Sequence, residues 1–284
     1  MFDLRPLHAS LAAELTGLPP DLVLDDATFA AIEAAWQRYP VLVFRALEMT
    51  PEQQIAFSRR LGPLHVMTPM QYNLDGHPEI FIVSNAEEGG RQVGMRRVGL
   101  GWHTDGEDKR IPNGASLLYA LELPAEGGDT MFADMYAAYA ALPADIRARI
   151  GNRRARFSRV ELHHVHYPLE PAYTPAQIAE RPDVWHPLVR RHPKSGRPSL
   201  YIGRWACEIE GLSRDEGNAL IRMLQEFSTR DELRYHHRWR LHDAVLWDNR
   251  CTQHCATEFD ETKYVRRMYR CTIEGELPEM AAAA

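Results

Sequence analysis

The stretch GWHTDGE (residues 101–107) holds two side chains that commonly bind metal ions, a histidine and an aspartate two positions apart. In an extended segment, alternate side chains point to the same side, so His103 and Asp105 would face one point. The pattern alone is weak, because the same pair also forms ordinary hydrogen-bonded turns. A second histidine, His254, lies in LWDNRCTQHCATEFD (246–260), where an apolar strand meets a polar turn. Two histidines and one carboxylate form the usual ligand set of non-heme iron(II) enzymes, which leaves positions open for reactants.

The elements that must position these residues are short strands with a few helices. Apolar residues at helical spacing, with capping signals, predict helices at 26–38, 50–62, 137–150 and 213–229. Apolar and β-branched runs predict strands at 41–45, 79–85, 115–124, 127–135, 237–249 and 266–275. This pattern predicts a β-sandwich or barrel with helices added mainly on the N-terminal side and in insertions.

Two segments read as irregular. Residues 86–101 are rich in glycine and charge and run directly into the His103 motif, which is typical of a mobile lid. Residues 151–200 contain several prolines and read as an irregular insert.

Composition limits the class of protein. The chain has 284 residues, 45% of them hydrophobic and 25% charged, with a formal net charge of −6, which suits one globular domain spanning 1–284. The acidic balance predicts no nucleic-acid partner, and no apolar run is long enough for a membrane span. No signal peptide is evident, and the four cysteines form no CxxC pair, so we expect a reduced, cytoplasmic protein. They are Cys207, Cys251, Cys255 and Cys271.

Four motifs in order make the sequence recognisable: WHTD, LELPAEGGDTMFADMYAAYAALP, WDNRCTQH and RRMYRCTIEG. Together with the separation of 151 residues between His103 and His254 (254 − 103), they resemble the TauD/TfdA family of iron(II)- and 2-oxoglutarate-dependent dioxygenases. The resemblance covers nearly the whole chain. It implies a mainly β fold, a double-stranded β-helix (jelly roll, cupin-like) core with helical decoration.

The resemblance also implies roles for individual residues. His103, Asp105 and His254 match the three iron(II) ligands, and Thr130, in GGDT, matches the threonine that binds the 2-oxoglutarate carboxylate. Arg266 matches the arginine that pairs with the same carboxylate, although its neighbour Arg267 makes the register ambiguous, since one of the two must face outward.

Arg270 matches an arginine that holds the anionic group of the substrate in the taurine branch; a second contact to 2-oxoglutarate is the alternative role. A guanidinium suits a carboxylate because it donates two parallel hydrogen bonds. The implied reaction consumes 2-oxoglutarate and O₂, releases succinate and CO₂, and hydroxylates a C–H bond of the substrate.

Departures from the taurine pattern bear on the substrate. Where taurine enzymes have a sulfonate-binding histidine, this chain has Met67. Gly99 stands at approximately the position where those enzymes have an asparagine. The segments 84–90 and 186–203 resemble the aryloxyalkanoate branch more closely. We therefore expect a small organic acid with one carboxylate and an apolar or aromatic body, with Trp205 and Phe157 as walls of its site.

Two other functions stay open. An amino-acid or natural-product hydroxylase of the same family would carry the same motifs. A non-catalytic cupin-like binding module would share the strand pattern but usually lacks the full ligand set. We also expect a homo-oligomer.

Overall fold

The computed structural model describes residues 2–68 and 70–282; Met1, Pro69, Ala283 and Ala284, which the expected domain boundaries include, lie outside it. The helices are α1 (Asp26–Arg38), α2 (Pro51–Leu61), α3 (Met135–Ala141), α4 (Ala144–Ile150), α5 (Arg159–His166), α6 (Pro175–Ala179) and α7 (Arg214–Ser228). The strands are β1 (Asp3–Pro6), β2 (Ala12–Thr16), β3 (Val41–Phe44), β4 (Asn73–Leu74), β5 (His77–Ser84), β6 (Glu87–Glu88), β7 (Arg91–Gln92), β8 (Ala115–Glu122), β9 (Thr130–Asp134), β10 (Arg154–Phe157), β11 (Val184–Pro187), β12 (Val189–Arg191), β13 (Pro198–Leu200), β14 (Ala206–Ile209), β15 (Arg234–His237), β16 (Ala244–Asp248), β17 (Thr252–Ala256), β18 (Arg267–Ile273) and β19 (Glu279–Met280).

Two sheets face each other and form the jelly-roll core. The major sheet has eight strands in the order β1-β2-β3-β16-β8-β18-β5-β4, and the minor sheet has the order β15-β9-β17. Phe132 of β9 packs against Trp247 of β16, with ring centroids 5.6 Å apart, in an apolar layer between the sheets. This arrangement confirms the expected fold class.

Strand β3 shows why the major sheet is buried on both faces. Val41 and Val43 point into the layer between the sheets, whereas Leu42 and Phe44 point to the opposite face. There they pack with α1 and α2, whose caps at Asp25 and Thr50 form as the sequence predicts. A sheet covered on both faces favours continuous apolar strands, as in VLVF.

The segment 151–200 is more regular than expected. It contains β10 to β13 and the helices α5 and α6. Its strands are short, and they pair both within the segment and outside it: β10 with β11 and β14, and β12 with β13 and β19. Because three- and four-residue strands carry little periodicity, the prediction of an irregular insert was wrong.

Two other predicted boundaries were also wrong. The predicted helix 137–150 is divided into α3 and α4 because Pro143, which lacks an amide hydrogen, ends the first helix. The predicted strand 237–249 is two strands in different sheets, β15 and β16. The chain turns between them at His242, which has a φ of +65°, and the Asp243 carboxylate accepts a hydrogen bond from the Arg240 amide.

Other features bear on the expectations above. Within 86–101, β6 and β7 form a two-stranded hairpin. All four cysteines are free and buried. None of the helices in the described part of the chain combines the length and apolar character that crossing a bilayer requires.

Candidate active site

The backbone brings the two histidines of the predicted ligand set together. The His103 amide donates to the His254 carbonyl at 3.1 Å, and the His254 amide donates to the His103 carbonyl at 2.9 Å. His254 is the middle residue of β17, so the 103 segment extends the minor sheet by one antiparallel bridge. The two imidazole centroids lie 4.2 Å apart, both buried.

The major sheet supplies the contacts that place the carboxylate. Asp105 Oδ2 accepts a hydrogen bond from Ser116 Oγ of β8 at 2.7 Å. Its Oδ1 lies 3.8 Å from Nε2 of both His103 and His254. The three side chains therefore point to one place, each with one ligand atom within 4.8 Å of the others.

The electrostatics of this cluster suit a divalent cation. Burial lowers the pKa of His254 to about 4 and that of His103 well below its usual value, so both imidazoles are neutral. Burial raises the pKa of Asp105, but the Arg270 guanidinium, the two neighbouring imidazoles and the Ser116 hydroxyl together lower it well below its usual value and keep the carboxylate charged. His103 Nδ1 lies 2.9 Å from the Gly101 carbonyl, which fixes the proton there and leaves Nε2 free to coordinate. Two neutral imidazoles and one carboxylate fit iron(II).

A cavity of about 1030 Å³ opens in front of these residues. Met67, Gly99 and Arg270, which the sequence assigns to the substrate site, all line it together with His103 and Asp105. Trp205 lines it as expected. Phe157 instead lies in the core against Tyr201, at a centroid distance of 5.5 Å, so its prediction as a wall was wrong.

The Arg270 guanidinium is buried at this cavity with little to neutralise it. Its Nη1 lies 3.4 Å from Asp105 Oδ1, its Nε is buried without a hydrogen-bond partner, and it stacks 5.3 Å from the Phe81 ring centroid. In the described residues, the only carboxylate in contact with it belongs to the predicted metal ligand. An incoming anion therefore finds unused donors here.

A second cavity, of about 210 Å³, contains Arg266. The buried Arg266 Nε donates to the Gly128 carbonyl at 3.0 Å, and in the part of the chain that is described no carboxylate lies within 4.0 Å of this guanidinium. The neighbouring Arg267 faces outward and donates to Glu88 Oε1 at 2.8 Å. Thr130 is buried on β9 opposite Ala256, which lines this cavity, and its hydroxyl accepts from Trp239 Nε1 at 3.0 Å.

The segment 95–100 separates the two cavities. Met95, Val98 and Leu100 line both of them. The segment is attached at its end, because the Ala256 amide donates to the Gly99 carbonyl at 2.9 Å. The segment therefore lies between Arg266 and the predicted metal ligands His103 and Asp105.

Sequence reasoning missed Glu107, although it lies in the GWHTDGE motif. Its buried carboxylate accepts hydrogen bonds from the Thr104 amide and the Trp205 amide, each at 2.9 Å, and so attaches the turn with the predicted ligands His103 and Asp105 to the cavity wall. Burial raises the pKa of Glu107 to about 7. A second carboxylate two residues after Asp105 could have drawn attention, but its partner in the cavity wall, Trp205, is 98 residues away.

A second buried group, His192, Asp248 and Cys251, does not resemble a metal site in its bonding. Both Asp248 carboxylate oxygens already accept hydrogen bonds from Arg250, and Oδ2 also lies 3.1 Å from His192 Nε2. Burial raises the pKa of the Cys251 thiol well above its usual value, which opposes formation of a metal-binding thiolate. These residues stabilise the turn before β17.

Comparison with known proteins agrees with this geometry. The model of the taurine catabolism dioxygenase TauD, TfdA family matches residues 3–272. The chain is 37% identical to the (S)-phenoxypropionate/alpha-ketoglutarate-dioxygenase of Sphingobium herbicidovorans, over 100% of this chain and 98% of the relative. It is 35% identical to the alpha-ketoglutarate-dependent 2,4-dichlorophenoxyacetate dioxygenase of Cupriavidus pinatubonensis, over 90% of this chain and 92% of that relative. The crystal structure of a taurine dioxygenase from Burkholderia xenovorans superposes with a TM-score of 0.82 at 32% identity, covering 100% of this chain and 92% of that one. With its ligand-type residues gathered at one cavity and its fold and sequence matched along their length, the chain belongs to the TauD/TfdA family of iron(II)- and 2-oxoglutarate-dependent dioxygenases.

Proposed function

We propose that this enzyme hydroxylates a small aryloxyalkanoate-like acid, with His103, Asp105 and His254 as ligands of iron(II). The observation that carries the proposal is Arg270, a buried guanidinium beside the metal-ligand carboxylate, with donors directed at a large, partly apolar cavity. A carboxylate on an apolar body would satisfy the donors and fill the remaining space. We assign Met67 and Gly99, which line this cavity and have no polar side-chain donors, to the substrate site.

Iron(II), when bound with 2-oxoglutarate and O₂, supplies the oxidation that converts 2-oxoglutarate to succinate and CO₂ and a substrate C–H to C–OH. Arg266 and Thr130 are assigned to the far carboxylate of 2-oxoglutarate. The assignment rests on the buried position of Arg266 in a cavity that is separate from Arg270, without a carboxylate of the described chain within 4.0 Å. Arg266 and Arg270 are thus assigned to different acids.

The chain's own residues orient the reactants and exclude water. Gly101 holds the His103 tautomer and Ser116 holds Asp105 Oδ2, so both ligands are pre-positioned. The wall 95–100, within the candidate lid 86–101, stands between the two cavities and can shield the bound 2-oxoglutarate. We further propose one domain over 1–284, a cytoplasmic location, a homo-oligomeric state and no nucleic-acid or membrane partner, on the sequence grounds given above.

Relatives that act on phenoxypropionate and 2,4-dichlorophenoxyacetate favour an aryloxy acid over the alternative of an amino-acid or natural-product hydroxylase. The alternative of a non-catalytic binding module does not fit the relatives, which are enzymes.

The test is a panel of small acids, including phenoxyacetate and 2-phenoxypropionate, given to the protein with iron(II), 2-oxoglutarate and O₂. Succinate should form fastest with an aryloxy acid, and the product should be hydroxylated at the carbon between the ether oxygen and the carboxylate. His254→Ala should lose iron(II) affinity and turnover, whereas Arg267→Met, an outward-facing control, should retain both. Succinate release no faster with any aryloxy acid than with amino acids would contradict the proposed substrate class.

Arg270→Leu separates the substrate role from the 2-oxoglutarate role. Removing one partner of a buried charge pair costs about 2–5 kcal/mol, roughly 30- to several-thousand-fold in affinity. The variant should weaken the acid by this order while leaving the KM for 2-oxoglutarate, measured from uncoupled consumption, nearly unchanged. If only the KM for 2-oxoglutarate rises, Arg270 belongs to the cosubstrate site.

A further inference from the structure

A second, partly buried cation lies at the same cavity as Arg270. Lys109 lines the cavity with Arg270 and Asp105, four residues beyond the carboxylate ligand. Its Nζ lies 3.0 Å from Nε2 of His65, to which it donates a hydrogen bond. Within the described ranges 2–68 and 70–282, no carboxylate oxygen lies within 4.0 Å of this ammonium. A partly buried lysine without a counter-charge is uncommon, because such a charge is costly unless it is paired.

The backbone of Lys109 is held firmly. Its amide donates to the Gly106 carbonyl at 2.9 Å, and its own carbonyl lies 2.9 Å from His186 Nε2, which donates to it. The adjacent acid, Asp108, is 3.5 Å from Arg159 and is therefore occupied elsewhere. The lysine is thus fixed at the cavity rather than free to seek a partner on the surface.

The charges near Lys109 are of both signs. Burial lowers the pKa of Lys109, the Asp108 and Asp105 carboxylates raise it, and the guanidiniums of Arg270 and Arg159 lower it, with a net shift downward. Burial together with Lys109 also lowers the pKa of His65, which leaves a neutral imidazole as a hydrogen-bond acceptor. The lysine retains two further N–H donors after this bond, and Arg270 retains several.

We propose that Lys109, oriented by His65, is the second cation that binds the carboxylate of the substrate, opposite Arg270. This inference rests on the proposed function and names the second half of its anion site. Asp105 is assigned to the metal and would neutralise part of its charge. The positive charges of Arg270 and Lys109 would then be available to the substrate. Lys109 replaces donors that Met67 and Gly99 do not provide, and two cations select an acid over a neutral molecule of the same shape.

The test compares a charged probe with an uncharged one. The dissociation constants of phenoxyacetate and phenoxyacetamide are measured by calorimetry, without O₂, on the protein loaded with iron(II) and 2-oxoglutarate. Lys109→Met should weaken phenoxyacetate by about 10- to 100-fold, somewhat less than a fully buried pair, and leave phenoxyacetamide within about threefold. Lys109→Arg, which keeps the charge, should recover part of the loss. The control is Lys194→Met, which removes the same charge at a surface ion pair with Glu33 and should change neither constant.

The outcomes are distinct. Equal weakening of the acid and the amide would show that Lys109 only shapes the cavity, and an unchanged acid affinity would show that it does not reach the carboxylate; either result overturns the inference and leaves the proposed function standing. If the wild-type protein bound phenoxyacetate no more tightly than phenoxyacetamide, both the inference about Lys109 and the proposed function would be overturned. If Lys109→Met does not fold, Lys109→Gln, which removes the charge but keeps an N–H donor, is measured in the same way.

Discussion

A substitution at Gly203 tests how the turn that carries the predicted metal ligands is attached to the cavity wall. A Cβ at position 203 would lie 1.7 Å from Oε2 and 2.4 Å from Cδ of Glu107. The same carboxylate accepts the Thr104 and Trp205 amides, both at 2.9 Å. In Gly203→Ala the carboxylate must move away, and two buried N–H groups lose their acceptor.

The expected cost follows from those two hydrogen bonds. A buried donor left unsatisfied costs about 1–3 kcal/mol, so Gly203→Ala should lower the free energy of unfolding by about 2–6 kcal/mol. Glu107→Ala removes the same acceptor and also leaves room for a Cβ at position 203. The second substitution should therefore cost less than about 1 kcal/mol in the Glu107→Ala background, giving a strongly non-additive double-mutant cycle.

The assay is urea-induced unfolding of the wild type, the two single variants and the double variant, followed by far-ultraviolet circular dichroism. Gly217→Ala, within α7, is the matched control. The nearest atom to a Cβ at this position would be the amide nitrogen of Ile209, in β14, at 3.4 Å, which is an ordinary contact. That substitution should be neutral or stabilising by up to about 1 kcal/mol, through helix propensity. Additivity of the two substitutions within about 0.5 kcal/mol, or an unchanged stability of Gly203→Ala, would refute the proposed attachment.

Three further predictions concern the cosubstrate, the lid and pH. Arg266→Met should raise the KM for 2-oxoglutarate by at least about 30-fold, because a buried cation loses its anion, whereas Arg267→Met should not; equal effects would reverse the assignment. Limited proteolysis should cut within 86–101, and a confirmed substrate with iron(II) and 2-oxoglutarate should protect it; equal cutting would argue against a lid. Burial lowers the pKa of His186 to about 4, below the unfolded value of 6.5, so the unfolded chain gains a proton first as pH falls. The free energy of unfolding should therefore fall by up to about 3 kcal/mol between pH 6.5 and 4, less so in His186→Gln, and unfolding midpoints that fall equally in both proteins would exclude this group as the cause.

The sequence by itself was sufficient for the features that depend on neighbouring residues. The helices α1, α2 and α7 begin at caps whose partners lie three residues away, so the local sequence contains both sides of each interaction. The pair His103 and Asp105 was visible because alternate residues of an extended segment share a side. His254 required the family motif, because nothing local links it to a residue 151 positions earlier (254 − 103).

Tertiary structure decided the features that depend on distant partners. The split of 237–249 into β15 and β16 follows from pairing with two different sheets, whereas apolar periodicity is similar in both. Arg266 and Arg267 are the same residue type, so the sequence alone does not show which one faces inward. The structure distinguishes them, because Arg266 donates to the Gly128 carbonyl inside the protein and Arg267 donates to Glu88 at the surface.

The same reason explains why Glu107 and Lys109 were missed. A glutamate and a lysine in a polar turn usually lie in solvent, and the local sequence agrees with that interpretation. Their burial comes from contacts with Trp205, Gly203 and His65, which the folded sheets bring to the turn. Local sequence determines which groups are available for chemistry, but the dielectric environment and the partners of each group arise only when distant segments exclude water around it.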